Sequence, residues 1–566
     1  MPTLKHTILC ALLLLLVAGL AAQTEKWDWA LRAGGLYDDM GETIATDAEG
    51  NCYVAGSFIS TASFGDFSLT GSGVSNVFCG KLDSEGNWLW VNQIGGMDEI
   101  YARSITVSDS GYIFITGSYY GLVHFGDISL QSDGYGNSGA SADTFVAKLD
   151  PSGNWLWAVS SGGLDFSDGR CVRTDDGGNA YVCGRFYTSA TFGGFNLIAV
   201  GSSDFYIAKL DPNGHWLWAI KGGGVGSDHI FGMDIDPEGY LVVTGNYLYT
   251  VSFGNQVFTS QGNDVHDVFV GKLNQGGNWI WARTCGGISD DWSYRVTTDA
   301  SCNIYIAGLF RSSASFGPHH LTAIEGAYAE VFVAKLNDVG IWLWARQAGG
   351  YNVIGCNDLA LDSDGNLHVT GGFSGQAKFG TITKHSSGSN DIFVAKINST
   401  GTWLAVQTAG GPGFDIAYAL AIDSDNNIYV TGYFTLNSTF GNNPVLYSQG
   451  GKDIFVARMS AKTPVTDPVA PSPAAFLLEQ NYPNPFNPST TISFEVRKPS
   501  AGYALDIYDI RGARVRRLAQ GLLSQGRHSV CFDGKDDRGR DLASGTYLLR
   551  LSGEGESQTR KMLLLK

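Results

Sequence analysis

The chain has 566 residues, a formal net charge of −17, 44% hydrophobic and 16% charged residues, and 75 glycines. That length exceeds one ordinary compact domain, and the glycines favour many turns over long helices. The acidity argues against a nucleic-acid or anionic-membrane partner, and it is uneven: from Phe476 onward there are 14 Lys+Arg against 10 Asp+Glu, leaving 23 against 44 for the rest.

The N-terminus reads MPTLKHTILCALLLLLVAGLAAQ, with Lys5 and His6 ahead of an apolar run that ends in small residues at 19–22. The pattern predicts a secretory signal over 1–22, too short for a membrane span, and an exported chain beginning near Gln23. Cys10 lies early in the run, which argues against a lipid-anchored cysteine. No later stretch has the length to cross a bilayer.

From residue 25 to residue 460 the chain repeats itself seven times. The phrase WLW or a near copy begins at Trp27, Trp88, Trp155, Trp216, Trp279, Trp342 and Trp403, with spacings of 61, 67, 61, 63, 63 and 61. Two more phrases share the period, typified by NNIYVTGYF (426–434) and IFVAKIN (392–398). Each unit holds four short β-branched and aromatic runs. In the first complete unit they are a (43–47), b (52–58), c (77–83) and d (88–96), with tight a–b and c–d turns such as DAEGN and DSEGN. No amphipathic helix of useful length is present.

Seven four-stranded units without helices predict an all-β fold, a seven-bladed β-propeller over 23–460. Residues i and i+2 of a strand share a face, so both indoles of each pair are expected to project the same way. The apolar residue between them is expected to be covered on the opposite face. The chain opens with a lone strand d and ends its repeats with a, b and c. The N-terminal strand is therefore expected to close the last blade, with Trp27 beside Phe455.

Eight cysteines follow the signal, none in a C-x-x-C pair, so a zinc site is not expected. Most replace apolar repeat residues, as Cys79 does where other units have Val146 or Val270. Cys171 and Cys183 flank one hairpin turn and are the best disulfide candidate.

These phrases resemble the bacterial SBBP-type β-propeller repeat over nearly all of 25–460. The resemblance implies the fold and says little about a ligand, because the shared residues are mostly structural.

Residues 461–475, AKTPVTDPVAPSPAA, form a proline-rich linker. Alternating patterns and glycine turns over 476–566 predict a small Ig-like β-sandwich. Here NYPNPFNPSTTISF, DGKDDRGRDLASGTY and a basic-apolar terminus resemble the type A C-terminal sorting domain of the type IX secretion system, with Phe532 where that family commonly has Trp. The resemblance implies passage across the outer membrane, recognition by the secretion machinery as partner, and a cell-surface or extracellular location.

The strand order puts the tight turns on one face of the ring and the long b–c segments and d–a crossings on the other. The crossings are acidic, and Asp39, Asp98, Asp168, Asp228, Asp291 and Asp415 are the candidate ligand-binding residues at the channel mouth. They fit a cation or cationic ligand, or else repeated loop chemistry in which Asp holds backbone N–H groups, and repetition favours the second. The DSDGN turns lack the glutamate of an EF-hand. Hydrolase, metalloprotease, phosphate-loop and dinucleotide motifs are absent by inspection, and the sequence calls for no catalytic residue, metal or cofactor. His229, His319 and His320 break the repeat, while Tyr119, Tyr120, Tyr249, Trp292 and Tyr328 offer stacking surfaces or loop packing.

The expected function is an exported, non-catalytic binding or adhesion module for a protein or glycan ligand. The alternative is a secreted glycosidase or lyase with its site at the channel mouth. Unmatched ionisable residues converging there, with two carboxylates, would favour the enzyme.

Overall fold

The computed structural model describes residues 25–133, 141–163, 165–350, 352–460, 476–496, 500–509, 511–553 and 556–566. The expected signal (1–22) and linker (461–475) lie outside them. Among the described residues there are strands and turns and no helix, and no helix is long and apolar enough to cross a membrane. The chain divides into two compact units between Thr463 and Pro464.

In the first unit the phrases of the repeat become antiparallel strands. Blade 1 comprises a (Met40–Thr46), b (Cys52–Phe58), c (Asn76–Leu82) and d (Trp88–Gly96), hydrogen-bonded in that order. Six further sheets repeat it, with strand a at Ile100–Val107, Ser167–Thr174, His229–Ile235, Asp291–Thr298, Asn352–Leu361 and Ile416–Ile422. Each strand a touches the next, and the last touches the first, so the seven sheets close into a ring around their inner strands. In blade 7, strand d is Lys26–Gly35, paired from Lys26 opposite Ser460 to Ala33 opposite Ile454. Trp27 itself faces Met459 and reaches Phe455 through Phe440, with ring centroids 5.1 Å apart at each step.

Strands b and c are buried along nearly their whole length. Their side chains alternate between two of the seven apolar clusters that lie between neighbouring blades. The tryptophans do not follow this simple alternation. Leu82 pairs with Trp88 and Lys81 with Trp90, which leaves Leu89 as the extra residue of a bulge, and all six c–d hairpins carry the same shift. One added residue reverses the faces. The two indoles of a pair therefore enter opposite clusters, Trp88 between blades 7 and 1 and Trp90 between blades 1 and 2. The middle residue (Leu89, Leu156, Leu217, Ile280, Leu343 or Leu404) is 43–50% exposed rather than covered.

The long b–c segments are not open loops. Each contains a β-hairpin, such as Thr61–Phe64 with Phe67–Thr70, that hydrogen-bonds to the end of strand d of the preceding blade. The second glycine of each Gly-Gly pair permits this clamp: a Cβ on Gly35 would lie 2.0 Å from the Thr61 carbonyl oxygen. The hairpin phenylalanine meets the first Trp of its own blade edge-on, with centroids 4.9–5.5 Å apart in all seven copies.

Cys171 and Cys183 lie directly opposite each other, as the hairpin required, but as two buried free thiols and not a disulfide.

The second unit is a sandwich of a three-stranded sheet (Phe476–Leu478, Thr490–Val496, Gly526–Phe532) and a four-stranded sheet (Arg514–Leu523, Ser500–Asp509, Gly545–Gly553, Glu556–Leu564). Phe532 is buried in its core against Phe486, 5.8 Å between centroids.

Candidate functional site

Strand a of every blade carries an extra residue at one equivalent position, and strand a of blade 6 has a second register shift between Val353 and Gly355. In blade 1 Gly41 pairs with Gly56 and Thr43 with Ala55, leaving Glu42 unmatched. The same skip falls at Arg103, Arg170, Phe231, Tyr294, Asn357 and Tyr418. The glycine of the strand b phrase makes room for it, since a Cβ on Gly56 would lie 1.9 Å from the Met40 carbonyl oxygen, and one on Gly308 1.8 Å from that of Trp292. A bulge re-aims its extra side chain. Because strand a is the innermost strand of each blade, the seven side chains converge on the channel, where all of them line a throat cavity of about 310 Å³. These are equivalent positions with unlike chemistry.

The throat is rich in guanidinium and aromatic groups. Arg103 stands 3.6 Å from the Glu42 carboxylate, which also accepts from Ser57 Oγ at 3.0 Å. Burial pushes the Glu42 pKa up, and Arg103 and Ser57 oppose that. Arg170 pairs with Asp168 at 2.6 Å and lies over the Phe231 ring at 5.4 Å. Arg295, which also lines the cavity, pairs with Asp358 at 3.2 Å. The buried Nε atoms of Arg103 and Arg170 have no hydrogen-bond partner.

Above the throat, a row of rings crosses blades 4 and 5. His229 bonds to Ser203 Oγ (3.2 Å) and Arg185 (3.3 Å), and burial followed by Arg185 holds its pKa down at about 3. Its ring stacks at 6.4 Å on His266, which stacks at 6.5 Å on Trp292. Arg311 lies 4.8 Å from the Trp292 ring and 4.1 Å from that of Tyr328, which is 69% exposed. Phe231 joins this row to the cavity, 5.9 Å from His229 and 5.7 Å from Tyr294. The structure thus gathers His229, Trp292 and Tyr328. Tyr119 is buried, Tyr120 follows strand b of blade 2, Tyr249 is exposed and bonded to Asp264, and His319 and His320 sit on the clamp hairpin of blade 5.

Of the six aspartates, Asp39, Asp228, Asp291 and Asp415 occupy one equivalent position, three residues before the bulge. All four are buried, and they accept backbone N–H groups from Gly35 (2.6 Å), Gly224 (2.6 Å), Arg311 (3.2 Å) and Gly411 (2.9 Å) respectively. Burial raises their pKa values to about 7, 7, 8 and 7. A second aspartate at the start of strand c of the preceding blade adds to the rise: Asp453, Asp204, Asp267 and Asp391. Asp168 stands one register position later and pairs with Arg170 and Arg185. Asp98 is half-buried in its crossing.

The opposite end of the channel holds a wider recess of about 610 Å³, lined by turn residues such as Asp175, Asp236 and Asp299. Those carboxylates hold their own turns. Asp299 accepts from the Ser301 and Asn303 backbones (2.9 Å each), from Asn303 Nδ2 (2.8 Å) and Tyr305 Oη (3.1 Å), and pairs with Lys335 (3.3 Å). The same network of turn aspartate, strand b tyrosine and strand c lysine recurs at Asp47, Tyr53 and Lys81 and at Asp175, Tyr181 and Lys209.

Sequence reading missed the throat residues, although a signal existed. Glu42, Arg103, Arg170, Phe231, Tyr294, Asn357 and Tyr418 recur at spacings of 61, 67, 61, 63, 63 and 61, the intervals of the tryptophans. A column in register with the repeat but chemically divergent points to a use other than the fold.

Two matched families agree with this architecture. Residues 343–371 match the beta-propeller repeat (SBBP) and residues 482–557 the FlgD Ig-like domain. The uncharacterized WD repeat-containing protein L264 of Acanthamoeba polyphaga mimivirus is 22% identical over 72% of this chain and 36% of its own length. The regulatory protein FlaEY of Caulobacter vibrioides is 26% identical over 36% of this chain and 21% of its own. The chain thus spans about a third or less of these relatives. Among solved structures, PorZ of the type IX secretion system of Porphyromonas gingivalis is 11% identical with a TM-score of 0.28, covering 94% of this chain and 75% of that one. A fungal alcohol oxidase of the AA5 family in complex with copper is 13% identical with a TM-score of 0.37, covering 96% and 99%.

Proposed function

We propose that the protein is an exported, non-catalytic binding module that takes a glycan or protein ligand at the throat of its channel and displays it at the cell surface or beyond. One observation carries the reading: seven structurally equivalent bulges present Glu, Arg, Arg, Phe, Tyr, Asn and Tyr to a single cavity. A repeat serving the fold alone has no cause to differ there. Leu36, Met97, Val225 and Ile288, each following a Gly-Gly pair at the head of a d–a crossing, are 66–73% exposed. Among the cavity-lining residues Glu42 is the single carboxylate, whereas glycosidases set two against the scissile bond. We further assign residues 476–566 as a type IX sorting domain, on the NYPNPFNPSTTISF and DGKDDRGRDLASGTY phrases and the basic terminus.

The test is a glycan and protein array probed with the wild type and with Tyr418→Ala. Ligands lost on substitution locate the site, and an unchanged profile overturns the reading. Residues 461–566 fused to a periplasmic reporter in a type IX-secreting host are expected to carry it to the surface.

A further inference from the structure

Resting on the throat as the binding site, we infer that its ligand is an acidic glycan, with a carboxylate-bearing sugar in the throat and neighbouring sugars along the rim row toward Tyr328.

Charge sets the class. In a chain of net charge −17, three guanidinium groups (Arg103, Arg170 and Arg295) line one cavity of about 310 Å³; Asp168 and Asp358, outside the lining, pair with Arg170 (2.6 Å) and Arg295 (3.2 Å), and Glu42 stands beside Arg103. The buried Nε donors of Arg103 and Arg170 are unpartnered, which leaves both guanidinium groups incompletely satisfied within the fold. Guanidinium forks match carboxylates bidentately. Arg103 is the freest of the three. It is a third exposed, and its link to Glu42 is the long one, at 3.6 Å.

Shape sets the rest. Phe231, Tyr294 and Tyr418 wall the cavity with aromatic surface, which suits the apolar face of a pyranose ring. From Phe231 and Tyr294 the row continues through His229, His266 and Trp292 to Arg311 and Tyr328, always within 6.5 Å from one group to the next. A monosaccharide fills the throat and leaves this row bare, whereas a chain covers both.

The experiment is calorimetric titration of the purified protein with oligouronates of one to six residues and with neutral hexose oligomers of matched linkage. Uronates are expected to bind, more tightly with length and less tightly with added salt. Arg103→Gln should weaken every uronate by about tenfold, the scale of one charge-assisted hydrogen bond, while Arg103→Lys retains part of the binding. Trp292→Ala, at the partly exposed rim, should abolish the gain with length and leave the monosaccharide unaffected, and it serves should Arg103→Gln fail to fold. Equal binding of neutral and acidic oligomers, or indifference to Arg103→Gln in a folded variant, overturns the acidic ligand while a Tyr418→Ala-sensitive array ligand keeps the throat as a site. No uronate binding overturns it as well, and if no array ligand responds to Tyr418→Ala either, the throat reading falls with it.

Discussion

The indole N–H of Trp344 donates to the carbonyl oxygen of Ser399, 3.0 Å away in the c–d turn of the next blade. The second Trp of blades 7, 2, 3 and 4 does likewise, to Ser84, Pro212, Gln275 and Asp338. Blade 6 has Ala405 in that position. Strands c and d of blade 7 are not joined by a turn, so the described residues offer no turn carbonyl for an indole to meet. Trp344→Phe is expected to cost about 1 kcal/mol by chemical denaturation, the worth of one net hydrogen bond, whereas Ala405→Trp should bring no stabilisation.

The bulge in strand d makes neighbouring residues opposite in sensitivity. Trp155→Ala should cost about 3 kcal/mol, the lower end for truncating an indole, because this half-buried ring packs against the cluster between blades 1 and 2. Leu156→Ser, at a 47% exposed position, should stay within about 0.5 kcal/mol. Comparable losses at both positions in urea melts would show that the middle residue is covered after all.

Gly308→Ala places a methyl 1.8 Å from the Trp292 carbonyl oxygen, so the bulge that presents Tyr294 must move. A loss of about 3 kcal/mol or more is expected, together with loss of throat ligands. Thermal unfolding followed by circular dichroism reads the first effect and the glycan array the second.

Stability should fall from about pH 5 to about pH 8 and level off above that. In the fold Asp39, Asp228, Asp291 and Asp415 keep their protons up to about pH 7–8 because burial disfavours the anion. The unfolded chain releases them near pH 4. The folded state therefore binds more protons between these limits, and its advantage is lost as pH rises through about 7–8. Asp291→Asn removes one titrating group and should flatten the decline in Tm, leaving the variant more stable than wild type at pH 9. An unchanged slope would mean that Asp291 is ionised in the fold at neutral pH.

The ring, its four-stranded units and the borrowed N-terminal strand were legible because a period of 61–67 residues states them directly. The orientation of the tryptophans was not, since alternation assumes unbroken pairing and the residue at Leu89 breaks it. The clamp hairpins are not legible within one repeat, because their pairing partner, as for Ser63 opposite Gly34, belongs to another. The six aspartates were chosen as acidic residues in crossings. Register shows that four of them are equivalent and that Asp98 and Asp168 are not. The throat residues look ordinary one by one, and Glu42 and Tyr418 acquire meaning only when strand a is known to be the inner strand.

Ser460 Oγ hydrogen-bonds Asp28 at 2.9 Å, a contact between residues 432 apart. A pairing so distant in sequence is entropically expensive to reach and forms late. Of the propeller strands, the first to be synthesised is thus the last to find its seat. Until it does, the edge of strand c in blade 7 stands open to any other extended peptide, so truncation anywhere between blades 1 and 7 should yield a sticky arc rather than a smaller wheel.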